Sequence, residues 1–335
     1  MPPLRADLHV HTCHSRHNDD IAFLGARDCY STPDAVYATA KRRGMDLVAI
    51  TDHDSIDGAL ELCSRRPDAT DVIVGEEVTC WFRSPSAGVR LQVHLGVYGM
   101  TEAIHRDIQP LRENGFEAAA FLRQQGRFFA VNHLLHFYDP RVPLEEYVRL
   151  LDIAPALEAR NGTMVPAHNR LSERIVNAWP SPHGPSGRLA VTAGSDAHTL
   201  RRVGTTWTEA PGRNAGEFLA NLGRGLGRAG GRDGGALAVS GDAYGVIGRY
   251  VGSLAGFGPR DHAPWHRAVC LSFAVVSAPF QFIPVAIVSR KKLRERFVVS
   301  SVAEAPELAG LDTPETLARI ASVPLPPSPA SASRD

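Results

Sequence analysis

Histidines and carboxylates recur along this chain in short runs: His9 and His11 in HVH, Asp52 and His53 in TDHD, Glu76 and Glu77 in GEE, the isolated His94, His133 in VNHLLH, and Asp196 and His198 in GSDAH. Imidazole and carboxylate together favour zinc, manganese or iron(II). His9 and His11 stand at alternate positions in ADLHVHTCHSRH, and alternate residues of a strand share one face, so the two rings could grip one ion. HxH alone is a weak pattern, since surface and hydrogen-bonded histidines produce it often. The combined set exceeds what one tetrahedral or octahedral ion can use, and suits two or three ions sharing bridging carboxylates. Such a site can make hydroxide from water near neutral pH and clamp the oxygens of an in-line phosphoryl displacement. The natural chemistry is hydrolysis of a phosphate ester.

These residues need elements to bring them together. Short apolar runs bounded by polar or glycine residues predict strands near 6–10, 46–50, 72–78, 91–98, 128–132, 156–160 and 189–193. Helical patterns lie between many of them. Thr32 can cap a helix with Pro33 in its first turn that ends at Gly44. Others are expected at 56–65, over 102–125 with breaks at Pro110 and Gly115, at 144–151 and at 167–179. Alternation of this kind indicates an α/β fold around a parallel sheet, open or closed into a barrel, with ligands gathered outside the carboxyl ends of the strands.

The 335 residues allow one large α/β domain plus an appendage. Basic and acidic residues balance at 36 each, so no global pull toward long nucleic acid is expected. Five cysteines without a CxxC pair argue against a disulfide framework or a thiolate zinc site. A reducing cytoplasm fits, and the chain enters its first strand too early for a signal peptide. The Gly/Arg-rich segment 223–240 reads as a linker after a catalytic domain of residues 1–222. Beyond it, a helical extension is expected over 241–322 and a disordered tail over 323–335. Within the extension, residues 268–288 run 21 positions without a charge, followed by SRKKLRER. That stretch could cross a bilayer, or pack on protein or on a second copy of the chain; Pro279, Gln281 and Pro284 weigh against a spanning helix.

With these motifs in place, the chain resembles the PHP family, named for polymerase and histidinol phosphatase. HVH at 9–11, TDHD at 51–54, GEEVT at 75–79, His94, His133 and GSDAH at 194–198 carry the resemblance. It implies a distorted (β/α)7 barrel and a metal-dependent phosphatase or phosphoesterase with two or three divalent ions. His9, His11, Glu77 and Asp196 would hold a first ion, and Glu77 as bridge, with His94 and His133, a second. His17, His53 and His198 would hold a third, with Asp19 or Asp20 as alternatives to His17. The family pattern selects Glu77 over Glu76.

Asp196 or His198 could take or return a proton. Arg160 and Asn161 at the end of the sixth strand, Arg201 and Arg202 after GSDAH, and His136 could contact a small phosphorylated substrate. Asp52 is expected to orient its neighbours rather than bind metal. Two other readings remain open from sequence: a phosphodiesterase acting on short oligonucleotides, and a non-catalytic metal-binding module recruited to a membrane or partner by its C-terminal segment.

Overall fold

A computed structural model describes residues 3–15, 26–84, 86–136, 139, 141–142, 146, 150–257, 263–280 and 282–303. His17, Asp19, Asp20 and the tail at 323–335 lie outside the described residues, as does most of the helix expected at 144–151.

Among the described residues, nine strands form one sheet: β1 (Leu4–Asp7), β2 (Leu47–Ile50), β3 (Val72–Arg83), β4 (Arg90–Tyr98), β5 (Phe128–Val131), β6 (Ala156–Asn161), β7 (Ala190–Gly194), β8 (Thr206–Ala210) and β9 (Arg228–Gly231). They lie in the order β7-β6-β5-β4-β3-β2-β1-β8-β9. The sheet curls until β7 meets β8, where the Ala193 amide donates to Thr208 Oγ1 at 2.7 Å and that hydroxyl donates to the Ala193 carbonyl at 2.9 Å. Further along, the His11 amide donates to the Ala197 carbonyl at 3.1 Å. The result is a nearly closed, barrel-shaped sheet in a mixed α/β fold, joined at the seam by isolated bonds rather than a full ladder.

The expected all-parallel pairing is corrected at β4, which runs antiparallel to both β3 and β5. Only residues 84–89 join β3 to β4, too few for the helical crossover that parallel strands require. The Ser84 amide donates to the Val89 carbonyl at 2.8 Å, and Gly88 takes the left-handed φ of +66° that the turn needs. β3 also runs five residues beyond its expected end, which puts Glu77 in mid-strand. Pairing Thr79 with His94 then puts that histidine in mid-strand as well. The rule that ligands lie past strand ends therefore fails for these two.

The helices follow their sequence signals closely. α1 (Pro33–Arg42) begins where Thr32 accepts a hydrogen bond from the Ala35 amide at 3.3 Å, with proline at its first position. α2 (Asp57–Arg65), α3 (Glu102–Ile108) and α4 (Gly115–Gln124) follow, with a short 3-10 turn at Gln109–Glu113 between the last two. α5 (Pro166–Ala178) and α6 (Ala215–Leu222) cover the later strands. The largest apolar cluster, including Val78, Leu95, Leu122, Phe129, Leu157 and Trp179, packs the helices at 102–124 and 166–178 on the sheet.

The segment read as a linker contains β9, paired antiparallel to β8, and the start of α7 (Ala236–Leu254). Glycine and arginine there support an edge strand instead of a free joint. α8 (Pro264–Val276) and α9 (Phe282–Ala303) complete the extension, and α9 returns to the barrel. Its Val299 and Val302 join the main apolar cluster, and Glu295 accepts from the Val165 amide at 2.8 Å. The uncharged run at 268–288 is split at Pro279, whose ring removes a backbone donor, so no single helix follows it. No described helix is long and apolar enough to cross a membrane. Trp265, Phe273, Val276 and Phe282 are exposed along α8 and α9.

Candidate metal centre

β1 ends at Asp7, and the chain continues past it, bridging through Val10 to Ala197 in the segment that follows β7. This carries His9 and His11 across the barrel mouth with their rings 5.2 Å apart. Gly194 makes room for them, since a Cβ there would lie 2.3 Å from that of His9. Both histidines point at Glu77. Its Oε1 lies 3.1 Å from His9 Nε2, from His94 Nδ1 and from His133 Nε2. Its Oε2 lies 3.0 Å from His53 Nδ1 and 3.5 Å from His11 Nε2. Asp196 closes the other side, with Oδ1 3.4 Å from His11 Nε2 and 3.6 Å from both His9 Nε2 and His198 Nδ1.

Eight of the nine residues expected as ligands, all but His17, thus meet at one place. Four triads bring ligand atoms within 4.8 Å of one another: His9, His11 and Asp196; His9, Glu77 and His133; His53, Glu77 and His94; and His11, His53 and His198. The grouping differs from the implied one in that His94 and His133 fall into separate triads, each sharing Glu77. His11 stands with His53 and His198, where the resemblance placed His17.

The cluster is electrostatically tense. Burial would raise the carboxyl of Glu77, but the facing His9, His94 and His53 outweigh it and hold the group well below its ordinary range. Asp196 behaves alike: burial opposes its charge, and His9 and His11 overcome that. Burial also disfavours a charged His53, yet Glu77 and Asp28 push it up to about 9. His9 likewise stands well above its ordinary value, because Glu77, Asp196 and Glu158 offset its burial. His11 goes the other way, through burial and the neighbouring His198 and His53.

The set fits divalent ions. His9 Nε2, His11 Nε2, Glu77 Oε2 and Asp28 Oδ1 are buried without a hydrogen-bond partner, which is costly unless something else satisfies them. The donors are imidazole and carboxylate only. Cys29, whose thiol burial pushes up to about 12, instead donates to the His11 carbonyl.

Two acidic residues that sequence reading passed over complete the site. Glu158 accepts from His9 Nδ1 at 2.9 Å and from the His133 amide at 3.0 Å, turning the other His9 nitrogen inward. Its signal was there, a lone acid within the apolar run ALEA. Asp28 Oδ2 lies 3.7 Å from His53 Nε2 and 3.8 Å from His198 Nε2. Nothing in RDCYS marks it; only the return of the chain before α1 brings it to the third triad. For Glu158→Gln, metal titration of the folded protein should show a loss of about 10- to 100-fold in affinity, the usual effect of removing a partner behind a ligand.

The remaining candidates separate by their partners. Glu76 faces the other side of β3 and accepts from His105 at 2.8 Å and Gln109 at 3.1 Å. Asp52 holds the turn after His11, accepting from the Thr12 hydroxyl at 2.7 Å. Asn161 donates to Glu158 at 2.9 Å and to Asp196 at 3.2 Å, so it orients carboxylates of the centre. Arg160 is tied to Glu173 at 2.7 Å and lies 3.6 Å from Asp233, which engages its charge away from the cluster. Arg202 is buried against the Gly162 carbonyl, whereas Arg201 lies at the surface. His136 is exposed, its ring 5.3 Å from that of His133. Among the described residues, three other than glycine adopt left-handed φ: Asp54 at 51°, His133 at 25° and Asp196 at 52°.

Residues 186–226 match the family model described as PHP-associated. Over 76 residues the chain is 33% identical to the uncharacterized protein MJ1587 of Methanocaldococcus jannaschii, covering 22% of this chain and 44% of that protein, less than half its length. A two-domain protein containing a predicted PHP-like metal-dependent phosphoesterase from Bacteroides vulgatus superposes with a TM-score of 0.49 at 16% identity, over 69% of this chain and 65% of that one. A putative metal-dependent phosphoesterase from Bifidobacterium adolescentis gives 0.42 at 16% identity, over 68% and 98%. The matched segment 186–226 contains GSDAH, the last of the motifs that carry the chain's resemblance to the PHP family.

Proposed function

We propose that this protein hydrolyses a phosphate mono- or diester of a small phosphorylated metabolite or nucleotide, using two or three divalent ions held by the Glu77 cluster. The observation that carries this reading is the convergence of five imidazoles on the two oxygens of one buried glutamate. His9, His11, Glu77 and Asp196 suit a first ion, Glu77 with His94 and His133 a second, and His53, His198 and Asp28 a third. Divalent ions held there would lower the pKa of water and neutralise charge on the phosphoryl oxygens.

The chain's own groups do the rest. Glu158 and Asn161 fix His9 and Asp196 in place. Asp196 Oδ2 also accepts from Thr163 Oγ1 at 2.9 Å, which leaves Oδ1 directed at the histidines. With two ions bound and its ring free of metal, His198 is the better placed of the two candidates for passing a proton to the departing oxygen. It is about a quarter exposed, at the rim of the cluster. The balanced charge favours small substrates over long nucleic acid.

The test is hydrolysis of an aryl phosphate and a bis-aryl phosphodiester by the full chain. Chelation should abolish turnover, and manganese or zinc should restore it. Full activity in the double variant His9→Ala, His11→Ala would overturn the assignment.

A further inference from the structure

α8 carries its apolar side outward. Trp265, Val269, Phe273 and Val276 follow one another at helical spacing, which puts them on one face, and each is more than half exposed. The opposite side holds the helix down: Cys270 is buried, and Arg267 Nε donates to the Leu254 carbonyl of α7 at 2.8 Å. A helix shaped only by water would turn the other way, with the arginine out and the tryptophan and phenylalanine in. Phe280 and Phe282, also exposed, continue the apolar surface into α9. Single exposed apolar residues are ordinary, but a run of this extent marks an interaction surface.

Charge identifies what this surface meets. On α9, Ile283, Ile287, Arg290 and Arg294 share the outer face, opposite the buried Lys292 and Val299. Lys291 and Arg296 are exposed as well. Glu295 is the one acid between residues 263 and 303, and it is taken up by Lys292 at 2.6 Å and by the Val165 amide at 2.8 Å. The charges that α9 exposes are therefore basic. A two-fold pairing of this face with a second copy would bring both sets of cations into one interface, with no acid from it to offset them. An anionic bilayer supplies what both parts of the surface require: acyl chains for the aromatic stripe, and phosphate headgroups for the arginines and the lysine. Tryptophan is favoured where the two meet.

We propose that α8 and α9 form a peripheral docking surface for anionic lipid bilayers, in which Trp265, Phe273 and Phe282 enter the headgroup boundary and Arg290, Lys291, Arg294 and Arg296 bind lipid phosphates. Neither helix crosses the bilayer: Pro279 ends the apolar run, and Val299 and Val302 hold α9 on the barrel. Docking of this kind requires nothing of the Glu77 cluster, so it stands whether or not the phosphoesterase reading does.

The test is co-sedimentation of the full chain with vesicles of phosphatidylcholine alone and of an equal mixture of phosphatidylcholine and phosphatidylglycerol. Each Lys or Arg at an anionic surface strengthens binding about fivefold, so the mixed vesicles should bind at least about 100-fold more tightly. Raised salt should weaken that binding. Arg290→Glu with Arg294→Glu should erase the preference. Trp265→Ser with Phe273→Ser, which leaves the charge unchanged, should weaken binding to the mixed vesicles at least about tenfold. Bound protein should show a blue-shifted tryptophan emission that Trp265→Phe removes while still binding. The substituted side chains are all exposed, so a parental Tm separates loss of binding from loss of fold. Equal binding to both vesicles, a preference that survives Arg290→Glu with Arg294→Glu, or binding to neither would overturn the proposal. In the last case, a dimer in analytical ultracentrifugation that Trp265→Ser with Phe273→Ser dissociates assigns the face to a second copy. Vesicle binding gained on removal of residues 304–335 assigns it instead to the chain's own C-terminal residues.

Discussion

Glu77→Gln should lower kcat/KM for an aryl phosphate by about a thousandfold and reduce the metal content of the purified protein. Both oxygens of Glu77 face imidazoles, at 3.0 to 3.5 Å. Removing one partner from a buried charged set costs about 3–5 kcal/mol, and 1.36 kcal/mol is tenfold in rate, which together give roughly 10² to 10⁴. The amide keeps the shape of the side chain and loses its charge, so the effect reports on ligation rather than on packing. Glu76→Gln supplies the control. That residue is equally buried but bonds to His105 and Gln109 on the opposite face of β3, so its metal content should match the parent protein. Elemental analysis and steady-state rates on both variants check the pair. Parental rates and metal content in Glu77→Gln would remove the centre from the mechanism.

The second large effect is on stability. Ions that satisfy the buried unpartnered atoms bind the folded chain alone, and at a thousand times Kd such binding adds about 4 kcal/mol. For a domain of this size each kcal/mol shifts Tm by about 2–4 °C, so manganese or zinc should raise Tm by roughly 8–16 °C over the chelated protein.

The gain should depend on pH in a definite direction. His53 is held up to about 9 in the metal-free fold, so its partners stabilise that fold fully below the ordinary histidine range. This contribution is lost as pH rises through about 9. A bound ion must displace that proton, so metal binding near pH 7.5 should release protons into a weakly buffered solution. The metal-induced rise in Tm should accordingly widen between pH 7 and 9. Differential scanning calorimetry with and without chelator measures it, and a Tm indifferent to metal at both pH values would contradict the assignment.

Much of the site was legible because ligand chemistry is local. His9 and His11 alternate in an extended segment, TDHD follows a fully apolar strand, and GSDAH follows another, so each motif carries its own placement. Helix limits were legible for the same reason, as with Thr32 and Pro33. The hairpin was not: a run such as LQVHLGV reads alike in either direction, and only the short connection before it fixes antiparallel pairing. β8 and β9 were missed because TWTEA and RAGG are short and poorly apolar, and their pairing partners lie far off in sequence. Asp28 illustrates the limit most plainly, since its meaning comes from Asp28 Oδ1 being buried and from histidines that reach it only after folding.

The left-handed backbone at His133 and Asp196 sets heat tolerance against function in this protein. Such conformations cost of order 1–3 kcal/mol for residues other than glycine, with aspartate among the more tolerant. Glycine at either position would relax the chain and delete a proposed ligand in the same step. A search for hardier variants that scored thermal endurance alone would be drawn to 133 and 196 and would return robust barrels with a dismantled centre.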